Sequence, residues 1–83
     1  MNKELQAAID RAIAEKRTAL VVKPQIGNVY ISGCEGETVI SLVKQAVDLA
    51  MYSRSVTRYV AVYGGEVVAM ITGLLYESGG HNG

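Results

Sequence analysis

Between Lys3 and Arg17 the apolar residues fall at Leu5, Ala8, Ile9, Ala12 and Ile13, the three-and-four spacing that lays one stripe along a helix. Lys3, Glu4, Asp10, Arg11, Glu15 and Arg17 fill the other side, a solvated face. Thr18 to Lys23 then reads as a strand, Pro24 to Asn28 carries turn residues, and Val29 to Ser32 resumes the strand pattern, which predicts a hairpin with a loop of several residues. Pro24 lacks a backbone donor and belongs at a strand end or edge.

After the break at Gly33-Cys34-Glu35-Gly36, a second helix is predicted from about Thr38 to Tyr52. Val39, Ile40, Val43, Ala46, Val47, Ala50 and Met51, widened by Leu42 and Leu49, give it an apolar stripe so broad that it must be covered on more than one side. A polar connector over Ser53 to Thr57 leads into the stretch Arg58 to Tyr76, a second hairpin folded over Gly64-Gly65. The order is αββαββ. The simplest packing is an α+β two-layer sandwich, a four-stranded, mostly antiparallel sheet with both helices on one face, ferredoxin-like with permuted connectivity. One domain is expected over residues 1–76, with a flexible polar tail over 77–83. The two αββ units echo each other in Ala8-Ile9-Asp10-Arg11-Ala12 against Ala46-Val47-Asp48-Leu49-Ala50, and in Val29 to Gly33 against Ala69 to Gly73.

The second hairpin is apolar at almost every position, so its register decides what each face presents. Gly-Gly is a favoured pair for a two-residue type I′ turn, which pairs Tyr63 with Glu66, Val62 with Val67, Ala61 with Val68, Val60 with Ala69 and Tyr59 with Met70. Alternation then sends Val60, Val62, Val67, Ala69 and Ile71 under the helices. Tyr59, Ala61, Tyr63, Glu66, Val68 and Met70 take the opposite face. Contiguous apolar patches of several hundred Å² mark interaction sites on soluble proteins. The expected contact surface is therefore Tyr59, Tyr63, Val68 and Met70, extended by Tyr30 from the first hairpin, with self-association as its commonest use.

Composition narrows the function classes. A chain of 83 residues builds a single modest core, and association with a second copy then carries real energetic weight. The eight basic and eight acidic residues cancel, so the dense positive surface of a nucleic-acid binder is absent. All five aromatic residues are tyrosines, which keep the hydroxyl wet while the ring makes contact. A lone cysteine and a lone histidine give neither a disulfide framework nor a zinc cluster. No apolar run is long enough for a membrane span and no signal-peptide pattern opens the chain. The expected setting is cytoplasmic.

Candidate chemistry is thin. Cys34 has no histidine partner, since His81 lies in the predicted tail, so a reactive thiol is not expected. Gly33-x-x-Gly36 resembles a phosphate-cradling loop in spacing alone, because Glu35 and Glu37 place negative charge where an anion would sit. No catalytic residues, cofactor or metal are expected. Arg54 and Arg58 beside Tyr52 and Tyr59, with Lys16, Arg17 and Lys23, form the one basic and aromatic cluster suited to a nucleic-acid or nucleotide contact.

From about Thr38 to Ile71, the Ala- and Met-bearing helix, the connector "SRSVTR" and the hairpin "YVAVYGGEVVAMI" resemble the small mixed α/β accessory proteins of phages and mobile elements, including anti-CRISPR inhibitors. The resemblance implies a class, short and non-enzymatic, that acts by occupying a surface of a larger host protein. It carries no residue roles. The expectation is a non-enzymatic protein-interaction module that pairs with itself or docks on a larger protein, the alternative being a small nucleic-acid binder using Arg54 and Arg58.

Overall fold

The computed structural model of the chain describes residues 2–52 and 56–72, and side chains for all of these except 56 and 57. The elements run α1 (Lys3–Ala14), β1 (Ala19–Pro24), β2 (Tyr30–Gly33), α2 (Val39–Tyr52), β3 (Val56–Tyr63) and β4 (Glu66–Thr72). The α+β class, the αββαββ order and an antiparallel four-stranded sheet with two helices are as the hydrophobic pattern predicts. The expected polar tail lies outside the described residues.

Three helix boundaries have a local cause. Asn2 caps α1, its side-chain oxygen accepting from the Leu5 N–H at 3.0 Å, the bond that satisfies an orphan donor of the first turn. Thr38 does the same for α2, its hydroxyl oxygen accepting from the Ser41 N–H at 3.1 Å. At the far end of α1, Lys16 takes a left-handed φ of 53°. Its N–H bonds the Ile13 carbonyl while Arg17 N–H bonds that of Ala12, a Schellman closure in which lysine stands where glycine is usual. The periodicity alone carried α1 to Arg17; this closure ends it at Ala14.

The sheet order is β2-β1-β3-β4, every neighbour antiparallel. Both central strands are the first of their hairpins. Alternation along β1 and β3 splits the core in two. Val21, Val60 and Val62 pack with Leu5, Ile9 and Ala12 of α1. Leu20, Val22, Tyr59 and Ala61 pack with Leu42, Ala46 and Ala50 of α2. Since Leu20 and Val21 point to opposite faces of one strand, the helices take opposite faces of the sheet. The expectation of both helices on one face, and with it the ferredoxin-like reading, is corrected: each helix forms its own packed layer against the sheet. The physical reason is legible in β1, where Ala19 to Val22 are all buried; an unbroken apolar run marks a strand covered on both sides.

This arrangement also bears on the internal echo. The two-fold rotation that would exchange antiparallel neighbours β1 and β3 runs normal to the sheet and would keep both helices on one side. With the helices on opposite sides, the two αββ units are not related by rotation, and the echo is a likeness of amphipathic segments.

Candidate interaction surface

The register of the second hairpin holds only near its turn. Gly64 and Gly65 both have positive φ, as type I′ geometry requires, and Tyr63 pairs with Glu66 and Val62 with Val67. Val68 is then an extra residue. Ala61 pairs with Ala69, Val60 with Met70 and Tyr59 with Ile71, so a β-bulge shifts the rest of β4 by one position. A shift of one residue exchanges faces: Ala69 and Ile71 pack beside the α2 core, and Met70 moves to the face that carries α1.

Tyr59 is the main correction among the expected surface residues. It is 3% exposed and belongs to the core under α2, with its hydroxyl 3.5 Å from the Leu49 carbonyl. Tyr63, Val68 and Met70 are exposed. Tyr30 is exposed too, but on β2, opposite Val22 and hence on the α2 face at the far edge. It lies three strands from Met70, roughly 14 Å at the usual strand spacing. Tyr30 and Met70 therefore cannot form one patch.

A larger apolar surface runs along the outer part of α2. Ile40 is 77% exposed, and Val39, Leu49, Met51 and Tyr52 are exposed with it; Val39, Ile40, Val43 and Lys44 line an open hollow. The breadth of the α2 stripe predicts a helix covered on more than one side; instead the sheet covers only the Leu42, Ala46 and Ala50 side, and the outer flank stays exposed.

The directions of the helices show which edge this surface borders. α1 rises to the β3–β4 turn, where Gly65 N–H bonds the Arg17 carbonyl. α2 starts beside the end of β2, where Cys34 N–H bonds the Thr18 carbonyl, and descends to Leu49 beside Tyr59. The helices are thus reversed in both direction and face, and the two reversals cancel. Seen down either helix from its N-terminus with the sheet below, β4 lies on the left. On α1 the right flank carries Ala8, which lines a hollow together with Val29 and Ile31 beside β2; the left flank carries Ile13. On α2 the left flank is Ile40, Val43, Val47 and Met51. The outer stripe of α2 therefore borders the β4 edge, while Val67 and Met70 flank the same edge on the other face.

The polar groups are held by one another. The Arg17 guanidinium donates to both Glu35 carboxylate oxygens at 3.0 and 3.2 Å, and Thr18 N–H joins them at 3.3 Å. The Arg17 hydrogen bond foremost holds the Glu35 carboxyl below its ordinary range. This pair spans the position that a phosphate would need in the Gly33-x-x-Gly36 loop, and a Cβ at Gly33 would meet both partners at 2.9 Å. Glu37 accepts from the Ser41 hydroxyl. Cys34 is buried, its thiol directed at the Ser32 carbonyl, and burial chiefly raises its pKa. Among the described residues, no three His, Cys, Asp or Glu side chains gather to hold a metal.

The basic cluster is divided. Arg17 is engaged with Glu35, Tyr59 is in the α2 core, and Arg58 sits between Lys23 and Thr72 on the ladder, on the opposite face from Tyr59. Arg54 and His81 lie outside the described residues. Among the described residues no helix is long and apolar enough to cross a membrane. No family model matches the chain, and no curated protein or solved structure matches it.

Proposed function

We propose that the protein is a non-enzymatic protein-interaction module whose working surface is the β4 edge together with the outer flank of α2. The observation that carries this reading is the exposure of Ile40, Met51, Val67 and Met70 along one side of a small domain. Water contact with such an apolar strip is unfavourable at about 25 cal/mol per Å², so a partner that covers it is stabilised by its burial. Tyr63 adds a ring whose hydroxyl tolerates a wet rim.

The test uses the full chain as bait in extract of the cell that encodes it, and also against itself, beside an Ile40→Lys/Met70→Lys double variant. Retention of a protein by the wild type and its loss in the folded variant supports the reading. A wild type that retains neither itself nor any other protein overturns it.

A further inference from the structure

We propose that the occupant of this surface is a second copy of the chain, joined by antiparallel pairing of β4 with β4 about a two-fold axis normal to the sheet. The proposal rests on the interaction reading above and names its partner. The pairing makes one eight-stranded sheet. It also sets the outer flanks of the two α2 helices against each other on one face.

The first support is the edge itself. β4 reads Glu-Val-Val-Ala-Met-Ile-Thr, without the lysine, proline or inward charge by which an edge strand normally repels a second strand. Its bulge is confined to Val67 and Val68, and Ala69 to Thr72 run straight. Face parity then restricts the register. Ala69 and Ile71 belong to the α2 face, Met70 to the other, and directly opposed residues must share a face. A two-fold at Met70 pairs Met70 with its own copy and Ala69 with Ile71 of the second chain, each on matching faces.

The second support is the self-complementarity of α2. Tyr59, the ladder partner of Ile71, reaches the Leu49 carbonyl, so Met70 is level with the middle of the helix. An antiparallel α2 pair centred near Ala46 sets Ile40 against Met51 and Val43 against Val47. It also sets Lys44 against Asp48 on the solvent side, in both copies at once, so the rim charges are complementary under the same two-fold that matches the apolar stripe.

Interfaces related by a two-fold use one patch twice, which is what a stripe symmetric about its own midpoint provides.

The experiment is sedimentation equilibrium of the full chain from low micromolar to millimolar concentration, with Ile40→Lys and Met70→Lys beside the wild type and circular dichroism as the check on folding. The expected result is a monomer–dimer equilibrium weakened at least tenfold by each substitution. A second arm places a cysteine on the axis. Met70→Cys should give disulfide-linked dimer under mild oxidant, because opposed Cα atoms at about 4.5–5.5 Å fall within disulfide reach, while Ile26→Cys, 90% exposed on the β1–β2 loop, should not. A wild type monomeric throughout, or a dimer untouched by both lysines, overturns self-pairing. If that monomer still retains another protein from extract, and the lysines abolish it, the interaction reading stands without the two-fold. If nothing is retained, both fall.

Discussion

Gly65 donates its backbone N–H to the Arg17 carbonyl at 3.0 Å, pinning the turn of the second hairpin to the end of α1. The neighbouring Gly64 N–H bonds the Thr18 hydroxyl oxygen, also at 3.0 Å. A Cβ at Gly65 would lie 3.0 Å from the Lys16 Cα and 3.1 Å from the Ile13 carbonyl oxygen, at a φ of +85°. Gly65→Ala therefore combines strain with collision against backbone. The expected loss is about 2–3 kcal/mol, the range of one strained residue with no room to relax, measured by urea denaturation. A loss under about 0.5 kcal/mol would show that the turn does not abut α1.

Lys16 offers the opposite case. It closes α1 at a φ of 53°, which costs a residue with a side chain about 1–2 kcal/mol, offset in part by the greater freedom glycine has when unfolded. Lys16→Gly should raise stability by about 0.5–1 kcal/mol in the same denaturation experiment. Destabilisation would mean that the lysine side chain makes a compensating contact.

Tyr59→Ala is expected to cost about 3–5 kcal/mol, the usual penalty for emptying a large buried aromatic site. That is a large part of the roughly 4–12 kcal/mol available to a chain of this length. Tyr59→Phe should stay within about 1 kcal/mol, since its hydroxyl contact, at 3.5 Å, is at the outer limit of a hydrogen bond. Met70→Ala, at a site 48% exposed, should cost far less than Tyr59→Ala. Equal penalties would contradict the exchange of faces that the bulge produces.

That exchange shows where the sequence stops being legible. Helix periodicity, the strand runs on either side of Pro24 to Asn28 and the Gly64-Gly65 turn gave all six elements, because each leaves a local trace. The breadth of the α2 stripe predicted cover on more than one side, yet one sheet face covers only part of it and the outer flank is exposed. The bulge at Val68 leaves no such trace. With Val67, Val68, Ala69, Met70 and Ile71 all apolar, no polar residue marks which parity faces water, and regular alternation placed Ala69 and Ile71 under the wrong layer. Tyr59 was expected outside for a different reason, because both helices were placed on one face. The same apolar continuity in Ala19 to Val22 was the sign of a sheet covered on both faces.

Acid should weaken the fold through Glu35. Its carboxyl titrates below the ordinary carboxylate range, chiefly through the Arg17 hydrogen bond. A depressed folded-state pKa contributes stability that is present above the unfolded value and lost as pH falls through the folded one. Wild-type stability should decline below about pH 4.5 more steeply than that of Glu35→Gln. Both partners are solvent-accessible, so salt should narrow the difference. Parallel acid limbs for the two proteins would remove Glu35 from the account.

Cross-strand nuclear Overhauser contacts between backbone protons should join Tyr59 to Ile71 and Ala61 to Ala69 in the wild type, as the bulged register requires. Deleting Val68 removes the extra residue and lets the pairs on either side of it form one regular ladder. Those same contacts should then persist. Stability should change by no more than about 1–2 kcal/mol, the range of most single changes outside a core, because no buried side chain is lost or turned to the other face. Contacts from Tyr59 to Met70 in the wild type would instead indicate uninterrupted alternation. Met70 would then lie under α2, and the β4 edge would present a different set of side chains to any partner.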